Sequence, residues 1–225
     1  MHIEPGLVSE ARLALSYVTA AASASYAVKL ALSDLRLRGA LSLLARSAIA
    51  TVLVFSFFEL LPHAPVGVSE VHLILGSTLF LLFGAAPAAL GLMAGLLAQG
   101  LFFAPFDLPQ YGMNVTTLLV PLFGLQALAA RVIPARTAYV DLRYGQVLAL
   151  SAAYQGGIVA WVAFWAIWGQ GMAVANLAAI GAFAAAYMLV VVVEPLVDLA
   201  VLALAKSLRA QRVSALLSPR LLAAA

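Results

Sequence analysis

The sequence predicts an all-α, polytopic membrane protein with about seven transmembrane helices, and three observations support this fold class. Of the 225 residues, 65% are hydrophobic and 9% are charged, whereas soluble domains carry about 25% charged residues. Apolar runs of membrane-spanning length recur along the chain, and basic residues lie in alternate connections between them. The connections are short and no repeat recurs at a fixed period, so residues 1–225 form a single predicted domain.

Seven runs are long enough to cross a bilayer, because about 20 mostly apolar residues in a helix span the hydrocarbon core. The predicted spans are 10–32, 43–61, 66–83, 87–106, 113–130, 145–168 and 175–193. Residues 1–9 precede them as an N-terminal segment. Pro195 is expected to kink or end the last span, and residues 196–225 form a predicted tail at the cytoplasmic interface. Glu194 and Asp198 are interpreted as solvated acids there, with partner binding as the alternative.

The distribution of charge predicts the orientation of the chain. Clusters of Lys and Arg lie between spans one and two, between spans five and six, and after span seven. Because cytoplasmic loops are enriched in these residues, we expect the N-terminus outside and the C-terminus in the cytoplasm. Five acids and all three histidines then lie near the outer side: Glu4, Glu10, Glu59, Glu70, Asp107, His2, His63 and His72. An arriving cation would meet a negative mouth, and ordinary solvated loops are the alternative.

The chain starts with Met1 and His2, a pair that can chelate a metal ion. The α-amine of Met1, the peptide nitrogen of His2 and its imidazole Nδ1 close two chelate rings around one ion. A fourth nitrogen completes a square plane, which suits Ni(II) or Cu(II) and is accepted by Co(II). The amide nitrogen must lose its proton, so affinity should fall as the pH drops. Taken alone, the dipeptide also fits a chance occurrence after a start codon. The chain has no cysteine, which excludes disulfides and thiolate ligands.

Two further histidines are candidate ligands. His72 lies about two turns into the predicted third span, where an ionisable side chain is costly and points to a function. A core histidine that is satisfied by a backbone carbonyl is the alternative. His63 lies in the outer loop LLPHAPVG and is interpreted as a solvated loop residue, with metal entry as the alternative; Glu70 is a second candidate for entry.

The sequence resembles the CbiM/NikM-type substrate-binding membrane subunit of energy-coupling-factor cobalt and nickel transporters. The resemblance is carried by the start MHI with Gly6, by His72 with Gly76, and by LLFGAAPAA. It continues through LLAQGLFFAPFDLPQYGMNVTTLLVPLFG, with Gln99, Gly112 and Asn114 at matching positions. It runs from Met1 to about Gly124, and beyond that it rests on the pattern of spans. Thr117 stands where the family has a second asparagine, and the family's Gly/Ser-rich run is here VSEV.

The resemblance implies a metal ion that is held by the Met1 amine, by the amide and imidazole nitrogens of His2, and by the His72 imidazole. Asn114 would support the N-terminal segment within the bundle. The implied function is capture of Co(II) or Ni(II) in the inner (plasma) membrane, for cobalamin synthesis or nickel enzymes. The implied partners are a membrane coupling (T component) subunit and cytoplasmic ATPase subunits. No cofactor beyond the transported ion, and no nucleic acid, is expected.

Two other classes of function remain open at this point. Glu59, His63, Glu70 and His72 could assemble the site of an intramembrane metal enzyme, although the sequence has no His-Glu-x-x-His helix. A channel or a structural membrane protein without ATP coupling is the other alternative. The chain itself is expected not to be an enzyme, because it contains no Gly-x-x-x-x-Gly-Lys-Ser/Thr loop for ATP. Gly91 and Gly95 predict close helix packing within the subunit, with an oligomer interface as the alternative.

Overall fold

The computed structural model describes residues 3–134 and 137–207. Within these ranges the chain forms seven α-helices, one β-hairpin and two short 3-10 helices, at Pro105–Gln110 and Tyr139–Asp141. The helices are α1 Glu10–Arg38, α2 Ala40–Glu59, α3 Gly76–Phe83, α4 Ala85–Phe102, α5 Tyr111–Val132, α6 Tyr144–Gln170 and α7 Val174–Ser207. The hairpin consists of β1 Ala64–Val66 and β2 Ser69–Val71. The predicted ligands Met1 and His2, and residues 208–225 of the predicted tail, lie outside the described residues.

Five helical segments of the described chain are long and apolar enough to cross a membrane, so the predicted count of seven is not confirmed. They are α2, α4, α5 together with the preceding 3-10 helix, α6 and α7. The other two predicted spans differ for separate reasons. α1 is long enough, with 29 residues, but the serines, threonine and tyrosines along its middle lower its mean hydropathy. The predicted third span has a different secondary structure.

The prediction of one helix over 66–83 is wrong. Residues 64–71 form the hairpin, 72–75 are non-helical, and only Gly76–Phe83 is helical. Two residues explain the start of this break. Pro65 lacks a backbone N–H and disfavours a helix interior, and Gly67, at φ +64°, supplies the positive φ that a two-residue hairpin loop needs. The apolar run is therefore a hairpin, a non-helical segment that begins with His72, and a short buried helix.

One end of the bundle gathers the N-terminal segment, and we call it the N-terminal end. Ile3 pairs with Ser69 of β2 in an antiparallel bridge. Arg12 Nη1 donates hydrogen bonds to the carbonyl oxygens of Trp168 at 2.7 Å and Gly169 at 2.9 Å, at the end of α6. The beginnings of α1, α5 and α7 and the ends of α2, α4 and α6 therefore lie together with the hairpin.

The opposite end of the bundle gathers the basic residues, and we call it the basic end. Arg46 is fully buried, donates to the carbonyl oxygen of Phe83 at 2.6 Å, and forms an ion pair with Asp34. Lys206 Nζ donates to the carbonyl oxygen of Leu142 at 3.1 Å. These contacts join the ends of α1, α3 and α7 to the beginnings of α2 and α6.

α4 packs on α2 through glycines, as predicted for contact within the subunit. A Cβ atom at Gly91 would lie 2.5 Å from the Cβ of Ala50, and one at Gly95 would lie 2.7 Å from Val54 Cγ1. Because real Cβ atoms do not approach this closely, the absence of a side chain is what permits this helix pair. The resulting packing places the end of α2 beside the hairpin.

α7 continues past Pro195, so of the two expectations for this proline, a kink or an end of the span, the end is wrong. The helix runs for 34 residues from Val174 to Ser207. Proline in a helix interior removes one backbone hydrogen bond and crowds the preceding turn, at a cost of about 3 kcal/mol. Here the residues on either side, Glu194 and Asp198, are fully buried and bonded to other elements, and these contacts hold the helix through the proline.

Candidate functional site

The N-terminal segment is anchored beside the hairpin. Ile3, which follows His2 in the sequence, is fully buried, and its backbone N–H donates to Asn114 Oδ1 at 3.0 Å. Asn114 is itself buried in the first turn of α5. Glu4 N–H donates to the carbonyl oxygen of Val68 at 3.3 Å. The segment therefore runs along the edge of β2, and the side chain of Asn114 replaces a missing strand partner for the backbone.

The hairpin places Glu70 and His72 side by side. The two residues are two positions apart in extended chain, where alternate side chains point to the same face. His72 Nε2 lies 2.7 Å from Glu70 Oε2, and the His72 side chain has no exposed surface. The ring of His72 stacks on that of His63, with centroids 4.7 Å apart and planes at 9°, and meets the ring of Phe58 at 5.6 Å. A polar ring is thus buried between an acid and two other rings.

Three metal-ligating side chains come together at this point, and we call them the mouth cluster: His63, Glu70 and His72. One ligand atom from each lies within 4.8 Å of the others, and His63 Nδ1 is 3.9 Å from Glu70 Oε2. Of the four residues considered for an enzyme site, Glu59 is outside this group. The interpretation of His63 as a solvated loop residue is only half right, because 38% of its side chain is exposed while its ring packs on His72.

The electrostatics of the N-terminal end favour a cation. Burial, and secondly the negative charge of Glu70, raise the pKa of the Glu4 carboxyl. Asp107 also lies at this end and is buried, so the alternative of an ordinary solvated loop acid does not hold for it. Carboxylates that repel each other in a partly desolvated place are stabilised when a positive charge arrives. The predicted negative mouth therefore contains acids that are close enough to interact.

Glu194 and Asp198 are not solvated acids at an interface, and that interpretation is wrong. Both are fully buried. The Glu194 carboxylate accepts hydrogen bonds from the backbone N–H of Ile74 and from Gln155 Nε2. Gln155 Oε1 in turn accepts from the hydroxyl of Tyr187 at 2.7 Å. These acids are buried because α3 is short and the residues before it are not helical. Their backbone N–H groups lie in the interior and need acceptors from another element.

Asp198, one turn further along α7, also accepts hydrogen bonds from the chain around the start of α3. Its carboxylate accepts hydrogen bonds from the hydroxyls of Ser77 at 2.6 Å and Thr78 at 2.5 Å. Both lie in the first turn of α3, whose N-cap Leu75 has a left-handed backbone (φ +54°) and makes no side-chain cap. Negative charge at a helix N-terminus is favourable. We call Glu194 and Asp198 the α7 acid pair.

The α7 acid pair was missed as a support for His72, although the sequence carried a signal. Two acids four residues apart in an apolar run are expensive in a membrane and point to a specific partner. What sequence reasoning lacked was the partner, since Ile74 was taken to lie inside a continuous helix. The non-helical segment 72–75 is held where it begins by the hairpin and at Ile74 by Glu194 of α7.

Comparisons with known proteins identify a family and a similar fold. The profile of the CbiM family, described as the cobalt uptake substrate-specific transmembrane region, matches residues 2–212. A comparison with curated proteins finds no match in sequence. The fold is similar to the crystal structure of a truncated transition metal transporter, with a TM-score of 0.64 and 18% sequence identity, over 92% of this chain and 97% of that chain. The chain therefore belongs to the CbiM family of substrate-specific transmembrane components for metal uptake, and it is a multi-pass membrane protein.

Proposed function

We propose that the chain captures Co(II) or Ni(II) for import, and that four nitrogens bind the ion. These are the Met1 amine, the amide and imidazole nitrogens of His2, and the imidazole of His72. The observation that supports this proposal most directly is the position of Ile3. This residue follows His2, donates to Asn114, and pairs with the hairpin strand that leads into His72. The start of the chain and the internal histidine thus converge on one strand edge.

The donor set decides which ions fit. Four nitrogens in a plane favour Ni(II), which also ranks above Co(II) in the stability order. Co(II) is accepted by the same donors, and the family is one of cobalt uptake. In the cell, selection between them depends on availability as well as affinity. Since the amide nitrogen gives up a proton when it binds, affinity should rise with pH.

The proposed orientation puts the N-terminal end outside and the basic end in the cytoplasm, following the positive-inside rule. The third pass then crosses the membrane as the hairpin, residues 72–75 and α3. Non-helical backbone at membrane depth is tolerated where protein buries it. His72, Ile74 and Leu75 are all buried, and the Ile74 N–H is bonded to Glu194. With α1 as the first pass, seven passes bring the C-terminus to the cytoplasmic side.

Energy for import would come from partners. The 225 residues contain no phosphate-binding Gly-x-x-x-x-Gly-Lys-Ser/Thr loop, so we assign ATP hydrolysis to separate ATPase subunits joined through a membrane coupling subunit. The small-residue run TAAASASYA in α1 is the proposed docking surface, and Ala21, Ala22 and Ser25 are exposed there. This arrangement is the energy-coupling-factor type, in the inner (plasma) membrane, and the loaded subunit would reorient to release the ion.

Metal titration of the purified chain tests the proposal. We expect His72→Ala to weaken Ni(II) binding at least 100-fold, because a square of nitrogens loses one corner, or about 2.7 kcal/mol by the usual conversion. His63→Ala is the matched control, since it removes a neighbouring imidazole that the four-nitrogen site does not use. Its equilibrium affinity for Ni(II) should stay within about twofold of the parent. Unchanged affinity of the His72→Ala variant would refute the four-nitrogen site.

A further inference from the structure

The mouth cluster contains two ligating residues that the four-nitrogen site does not use. His63 and Glu70 face His72, with His63 Nδ1 at 3.9 Å and His72 Nε2 at 2.7 Å from the same oxygen, Glu70 Oε2. Exposure falls steadily along the three side chains, from 38% for His63 to 22% for Glu70 and 0% for His72. The donors therefore form a short path from the surface to the buried imidazole.

The spacing of the three donor atoms is close to that of a metal site. Bonds of about 2.0–2.2 Å in a tetrahedral arrangement separate ligand atoms by about 3.4 Å. The contact between Glu70 and His72 would open by about 0.7 Å, and His63 would move closer to Glu70 by about 0.5 Å. The two imidazole nitrogens, at most 4.8 Å apart, would approach each other by up to about 1.4 Å. Since His63 lies on an exposed loop before β1, we assign most of this adjustment to its side chain.

We propose that His63, Glu70 and His72 form a second metal site, which receives the ion before the four-nitrogen site does. Two imidazoles and one carboxylate, with water as the fourth ligand, make a donor set for a tetrahedral divalent cation such as Zn(II) or Co(II). Ni(II) in a square of nitrogens prefers the deeper site. Because His72 is common to both sites, the ion passes inward by exchanging His63 and Glu70 for the nitrogens of the chain start.

This inference rests on the proposed function, and Co(II) binding tests it with the four-nitrogen site disabled. The full chain with an acetylated Met1 amine loses that ligand but keeps the mouth cluster. We expect it to bind Co(II) with the intense visible absorption of tetrahedral cobalt. His63→Ala and Glu70→Gln should each weaken this binding at least tenfold. Glu59→Gln, which removes an acid at the same end but outside the cluster, should change it less than twofold.

Association kinetics test the passage of the ion with the native start. His63→Ala should slow Ni(II) association about tenfold at low ionic strength while the equilibrium affinity stays within about twofold. The second site is refuted if the acetylated chain binds no Co(II), if His63→Ala leaves both rate and Co(II) affinity unchanged, or if Glu59→Gln loses as much as Glu70→Gln. Failure of the proposed function is a separate result, since it appears as equally tight Ni(II) binding by the native and acetylated chains.

Discussion

Two acidic regions hold the same segment of chain, residues 70–78, and they do so with different partners. In the mouth cluster, Glu70 lies against two imidazoles and 22% of its side chain is exposed. In the α7 acid pair, Glu194 and Asp198 are fully buried, and their recorded partners are a backbone N–H, an amide and hydroxyls. Metal-ligating partners and a route from the surface distinguish the first region, while hydrogen-bond donors distinguish the second.

The difference teaches how a membrane protein can use one kind of side chain for two purposes. A carboxylate beside imidazoles at a partly exposed position can exchange its contacts for a metal ion, because water can replace the bonds that it gives up. A carboxylate that accepts hydrogen bonds from buried backbone cannot exchange its contacts in this way. Each buried donor left without an acceptor would cost about 1–3 kcal/mol of stability. The mouth cluster is therefore suited to exchange ligands, and the α7 acid pair to keep His72 in place.

The largest effect expected from this comparison is on folding stability. Glu194→Ala leaves the N–H of Ile74 and Gln155 Nε2 buried without their acceptor, and we expect a loss of about 2 kcal/mol in the free energy of unfolding. Glu70→Ala, the same change in the mouth cluster, should cost less than about 0.5 kcal/mol because Glu70 is partly exposed. Thermal unfolding in detergent measures both. Equal losses would show that the two regions do not differ in kind.

An exchange of side chains separates hydrogen bonding from charge at position 194. In the double variant Glu194→Gln, Gln155→Glu, the new amide still accepts from Ile74 N–H and donates to the new carboxylate. That carboxylate still accepts from the hydroxyl of Tyr187. We expect the exchange to recover at least half of the stability that Glu194→Ala loses, and to retain Ni(II) affinity within about threefold. If it unfolds like Glu194→Ala, the negative charge at position 194 is required and the positioning role is wrong.

A smaller effect is expected where the N-terminal segment meets α5. Asn114→Ala removes the acceptor of the Ile3 N–H, so the segment that follows the proposed chelate is held less well. We expect Ni(II) affinity to fall about tenfold, or about 1.4 kcal/mol, with little change in unfolding temperature. Asn114→Asp keeps an oxygen in the same place and should restore most of the affinity. Isothermal titration measures this, and an alanine variant that binds like the parent would contradict the role of Asn114.

The smallest expected effect concerns pH. Since burial and Glu70 raise the pKa of Glu4, the folded state holds this proton more tightly than the unfolded state does. Stability therefore falls as the pH rises from the unfolded pKa through the folded one, and the cost persists at higher pH. Glu4→Gln should raise the unfolding temperature slightly near about pH 7 and not near about pH 4. A rise at the lower pH only would show the opposite sign of coupling.

The sequence predicted the helical membrane class and brought His72 to attention because an ionisable side chain stood in an apolar run. Prediction from the sequence failed where local turn-forming residues opposed the hydropathy of an apolar run. Pro65 and Gly67 break a segment that composition alone makes a span, and a window of about 20 residues averages over them. The partner of Glu194 could not be predicted, because it is the N–H of Ile74, a residue 120 positions away. The contact between His63 and His72 could be recognised only once the hairpin was known.

Binding of Ni(II) by the native chain and by a chain whose Met1 amine is acetylated tests the central claim most directly. Acetylation leaves His72, Asn114 and the hairpin unchanged, but it converts the Met1 amine into an amide and leaves no free amine at the start of the chain. The account predicts that tight Ni(II) binding falls at least 100-fold in the acetylated chain. Equally tight binding by the two chains would contradict it, since the Met1 amine would then supply no ligand.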